Sequence, residues 1–170
     1  CFSMSLWLSA SAVTPALQLA WRLDAGQVAW LTMTVQIGFV LGAFLSALLN
    51  ISDIFSPRHV AAVGATVGAA ATAAIALFVS SPEPAYILRF ITGASLAFVY
   101  PVGMKIVATW LDRDRGLGLG ILVGALTIGK AMPHLFKVYG DVNRWQPVLL
   151  GTAVLALLSS LILFKFGELG

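Results

Sequence analysis

AYILRFITGASLAFVYPVGMKIVATW-LDRDRG-LGLGILVGALTIGKAMPHLF, residues 85–136, decides the fold. Two apolar runs, each of about 20 residues or more and so long enough to cross a bilayer, are joined by a few residues that are nearly all charged. A linker this short makes the two helices antiparallel, with the charges at one membrane surface. Both runs carry groups that a purely structural span does not need: Arg89, Lys105, Lys130, His134, Pro101 and the glycines Gly116, Gly120 and Gly124. An ionisable side chain in hydrocarbon is expensive, which makes it a functional candidate by default.

Working outward, the whole chain has the same character. Of its 170 residues 59% are hydrophobic and only 10% charged, against about 25% charged in an ordinary soluble domain. The mean hydropathy is +0.95. The net charge of +3 is small and scattered, so the basic residues read as topology and headgroup contacts rather than a nucleic-acid surface. A single cysteine, Cys1, excludes an internal disulfide, and no spacing of His, Cys, Asp or Glu suggests a metal or another cofactor.

The pattern predicts an all-α membrane protein, a six-transmembrane-helix bundle with spans at about 2–21, 28–49, 60–79, 85–110, 116–136 and 148–166. The chain opens on Cys1 and stops after an apolar run, so it is expected to be a fragment of a longer one. An even number of spans puts both ends on one side. Arg58, Arg113, Arg115 and Lys165 on that side against Arg22, Lys137 and Arg144 on the other make it the cytoplasmic one. An integral, multi-pass protein of a plasma or bacterial inner membrane is the expectation.

In the first span Trp7, Ser11, Thr14 and Gln18 recur at spacings of four, three and four, which is one helical face. Such a stripe either glues helices together or lines a cavity. Pro15 should bend this span. Gly38 with Gly42, and Gly64 with Gly68, provide close helix approach. The prolines of SSPEPAY (residues 80–86) mark a turn before the fourth span.

In that span Arg89, Gly93, Ala97, Tyr100 and Met104 share a face. Arg89 either snorkels to headgroups or faces a cavity; the room left by Gly93 and Ala97 favours the cavity. Pro101 should kink the span. In the fifth, Gly116, Gly120 and Gly124 form a double GxxxG that favours tight helix packing. Lys130 and His134 lie four apart on one face, and imidazole changes charge in the physiological range. Every carboxylate falls in a loop or at a span end, so the charges left inside the spans are cationic. They would attract an anionic or strongly polar solute.

RFITGASLA (89–97) and RGLGLGILVGALTIG (115–129) resemble, respectively, the fourth-helix motif and the Arg-Gly loop with glycine-rich fifth helix of the major facilitator superfamily. The likeness covers essentially the whole chain, in the first six helices of a twelve-helix carrier. It implies an N-terminal half-bundle, a missing C-terminal six-helix half, and a small solute moved through a central cavity by rocking alternating access. Gly93, Pro101, Arg115, Gly116, Gly120 and Gly124 are the packing or gating candidates. Two features depart from the pattern: the second connection lacks the compact Gly-Asp-Gly basic motif, and the fifth helix lacks the Gly-Pro of antiporters. Substrate-pathway candidates are Arg89, Lys130, His134, Gln18, Thr14, Ser11 and Tyr100. The rivals are a passive pore, a non-transporting membrane module, and an intramembrane hydrolase built on Ser95 and His134. The hydrolase is disfavoured because nothing in the sequence positions His134 as a base, and no enzyme is expected.

Overall fold

Local chemistry at the turns sets where each helix begins. The computed structural model describes residues 2–111, 114–139 and 145–166, the side chains at positions 52, 53, 115 and 136–139 excepted. A 3-10 turn, Phe2–Met4, leads into α1, Ser5–Trp21, which runs unbroken through Pro15. Arg22, at φ 51°, closes it in the left-handed region. Asp24 then starts α2, Ala25–Leu48, with a capping box: its carboxylate accepts from the Gln27 N–H at 2.8 Å, and the Gln27 side chain accepts from the Asp24 N–H at 3.0 Å. Two backbone donors are satisfied reciprocally, and the span therefore starts before Val28.

A short helix, α3 (Ile51–Ile54), lies in the second connection, and α4 (Pro57–Phe78) forms the third span. The prolines after Ser81 are not a turn. Pro82 opens α5, Pro82–Leu96, because a first-turn residue needs no N–H donor and the ring presets φ. The fourth span is interrupted at residues 97–99, where the Phe98 and Val99 N–H groups bond only three residues back, to Ser95 and Leu96. It resumes as α6, Tyr100–Trp110, with Pro101 in its first turn. α7 (Arg115–Tyr139) and α8 (Gln146–Phe166) complete the bundle. Among the described residues five stretches are long and apolar enough to cross a membrane: 25–48, 57–78, 82–110, 116–135 and 146–166. Phe2–Trp21 adds a sixth apolar helical stretch, at about 1.5 Å per residue roughly 30 Å long.

Packing follows the small residues, with α2 lying along α5 and α4 along both α5 and α8. Gly38 sits against the Phe90 carbonyl, and Gly93 against the Val35 carbonyl, so closely that neither has room for a methyl group. A methyl on Gly42 would stand 2.8 Å from the Ala94 carbonyl oxygen, and one on Gly64 2.7 Å from that of Ser95. Hydroxyl pairs tie other helices: Thr66 with Ser160 at 2.8 Å, and Ser3 donating to Ser159 at 2.7 Å. The core divides into a layer around Leu17, Leu31 and Trp145 and another around Leu6, Leu96 and Ala156. Outward faces carry Trp30, Phe44, Phe78 and Leu161, each more than half exposed, as lipid-facing surfaces do.

The fifth span corrects the sequence expectation. Gly116, Gly120 and Gly124 have nothing within 4 Å of where a side chain would begin, and all three are exposed. The inward side of α7 is instead Gly118, Gly129 and Pro133, with Gly118 against Val107 and Leu111. Helical phase, not the motif, chose the packed glycine.

Close approach of α2 and α5 predicts a graded response to added methyl groups. Gly93→Ala meets immovable backbone and should lower stability by about 1–3 kcal/mol, as overpacking does. Gly68→Ala meets the flexible end of Leu6 at 3.0 Å and should cost markedly less. Thermal unfolding in detergent compares them; equal losses would refute the backbone-contact account.

Candidate functional site

One arc of α1 is buried and the other is open. Leu6, Ser9, Ala10, Val13 and Leu17 face the bundle, whereas Trp7, Ser11 and Thr14 are half-buried and Gln18 is exposed. The stripe seen in the sequence therefore looks away from the core. Neighbours from α2 and α7 flank it. The Trp7 ring meets Phe39 edge-on, centroids 4.9 Å apart, and the Lys130 ammonium lies 4.8 Å from the centre of the same ring. A cation over an indole face is held by the ring quadrupole. One turn along, Ser11 Oγ and Thr32 Oγ1 are 3.3 Å apart. The Thr14 hydroxyl donates to the Ala10 carbonyl at 3.1 Å, and Gln36 and His134 are exposed.

Arg89 is placed elsewhere than expected. It is 1% exposed and reaches neither headgroups nor an open cavity. The room beside Gly93 and Ala97 is filled by α2, with Val35 and Phe39 against Gly93 and Gly42 against Ala97. Its guanidinium donates to the carbonyls of Leu6 (2.9 Å), Trp7 (2.7 Å) and Leu31 (3.3 Å), and to the Ser9 hydroxyl (3.1 Å). All four acceptors are neutral, and together they join α1, α2 and α5. The geometry is that of a brace: a planar fork suits several carbonyls at once.

Tyr100 stands apart as well, half-buried in the wall of a cavity of about 100 Å³ shared with Ser3, Gly103 and Ser159. Gly93 is a packing contact and Pro101 seats the restart of the fourth span. The Arg115 side chain lies outside the described residues, as do the side chains of Asp53, Asp112, Arg113, Lys137 and Arg144. Sequence reasoning did not pair Thr32 and Phe39 with the first-span stripe, which they meet at Ser11 and Trp7, although their spacing of seven signals one face of α2. Among the described residues no three His, Cys, Asp or Glu side chains gather as a metal site would require. Lys130 is thus a cation on the open face, held on the Trp7 ring.

A family model for the Major Facilitator Superfamily matches residues 1–168. No curated protein matches the chain.

The brace predicts that Arg89 is required for the fold itself. Arg89→Gln removes the charged fork, at about 1.5–3 kcal/mol for a hydrogen bond to a charged group. Arg89→Lys, a point charge that cannot span three helices, should rescue only a minor part. Thermal stability of the detergent-solubilised protein reads both; an unchanged melting temperature in Arg89→Gln would dismiss the brace.

Proposed function

Because the chain belongs to the Major Facilitator Superfamily, we propose that this multi-pass membrane transport protein is the N-terminal six-helix half of a secondary carrier for a small anionic solute. The observation that carries the solute class is Lys130. Its ammonium is braced on Trp7 at 4.8 Å, on the face of the bundle where the hydroxyl-bearing stripe of α1 is open. Every carboxylate of the sequence lies in a loop or at a span end, so none stands beside this cation within its span. In a low-dielectric cavity it attracts negative charge strongly. Ser11 and Thr32, one turn along α1 from Trp7, supply neutral hydroxyls for an oxyanion, and His134, four residues beyond Lys130, offers a second nitrogen donor; Thr14 and Gln18 continue the stripe further along the helix.

A C-terminal half facing this one would close the cavity. The exposed glycines Gly116, Gly120 and Gly124 lie on an outward side of α7, and a second bundle approaches most closely where small residues meet it. Rocking of the two halves would expose the site alternately to each side. The break at residues 97–99 of the fourth span is a natural place for such a motion to be absorbed. The bias of basic residues supports cytoplasmic ends in a plasma or bacterial inner membrane.

Uptake by the complete carrier in proteoliposomes tests the reading. Lys130→Gln should lower anion uptake roughly ten- to hundredfold, the equivalent of a lost charge-assisted hydrogen bond of about 1.5–3 kcal/mol. Lys130→Arg should retain a measurable part, and Trp7→Leu should weaken apparent affinity. Normal uptake of the true substrate by Lys130→Gln would reject the anion site. Absence of counterflow would point to a pore instead of a carrier.

A further inference from the structure

The outer side of the bundle holds a feature that the transport site does not use. Between α4 and α5 runs a groove of about 460 Å³, within the range of about 300–1,000 Å³ typical of small-molecule sites. Val63 and Val67 form one wall, Phe90 and Ala94 the other, and Phe55 and His59 frame its mouth. Ser95, also in the lining, donates its hydroxyl to the Ile91 carbonyl of its own helix. The interior is therefore apolar in effect. From His59 the groove follows α4 to Val67, eight residues or about 12 Å, which carries it from the charged connection well into the hydrocarbon.

We propose that this groove holds one acyl chain of an anionic phospholipid, with the phosphate beside Arg58 and His59. Three observations converge on that occupant. An apolar cleft without polar partners does not hold water, and in a membrane span the material at its open side is lipid. Its walls are accessible, Val63 being 62% and Val67 43% exposed, so a chain enters sideways without unfolding anything. The mouth reaches the first turn of α4, where His59 lines it and Arg58 is its chain neighbour, and basic side chains at the membrane surface favour anionic headgroups. The proposal needs only that the chain spans a bilayer and is independent of the solute that it carries.

Native mass spectrometry decides it, on protein extracted in mild detergent from membranes containing phosphatidylglycerol and phosphatidylethanolamine. The wild type should retain one phosphatidylglycerol. Val67→Trp and, from the opposite wall, Ile91→Trp fill the groove and should each reduce the lipid-bound fraction about tenfold. Arg58→Gln combined with His59→Gln should keep a bound lipid but abolish the preference for phosphatidylglycerol. Wild-type protein that retains no phospholipid, or retains both lipids in the membrane's own ratio, would overturn the proposal. So would undiminished retention in either groove-filled variant.

Discussion

A guanidinium enclosed among three helices, with four hydrogen bonds to neutral oxygens, holds the arrangement on which everything else rests. Arg89 grips one turn of α1, at Leu6, Trp7 and Ser9, and reaches Leu31 on α2. Away from water a cation cannot be left without acceptors, so α1 must present that turn to α5. Once it does, helical geometry leaves the arc of Trp7, Ser11, Thr14 and Gln18 on the opposite, open side. The buried charge thereby orients the polar stripe.

The same residue couples the interior to the site. Trp7 accepts from Arg89 through its carbonyl and supports Lys130 with its ring, while Phe39 closes on the ring edge. Shape is held by a second constraint, the backbone approach of α2 and α5 at Gly38, Gly42 and Gly93, which leaves little freedom for one helix to slide on the other. Without a hydrophobic force between helices in lipid, such close contacts and a few hydroxyl pairs do the work of a core.

Much of this was legible in the chain. Apolar runs coincide within a few residues with long helices, the first-span stripe was visible from its spacing, and Gly38 with Gly42 marked a close contact. Errors came where a sequence pattern fits two rotational settings of a helix. The double GxxxG of the fifth span promised packing, yet Gly118, two positions out of step, took the inward place. Arg89 had apparent room beside Gly93 and Ala97, but that room belonged to α2. The prolines at residues 82 and 84 looked like a turn because a proline signals both a break and a first helical turn.

Length, hydropathy and the placement of charge determined by themselves that the chain forms membrane-spanning helices, because a bilayer imposes those demands residue by residue. Which way each helix is turned was decided only in the bundle. Rotation about a helix axis depends on what its neighbours offer, and a one-dimensional pattern does not contain the neighbours. That is why Arg89, the first candidate on paper, became a brace in the interior, and Lys130, the second, a cation on the open face.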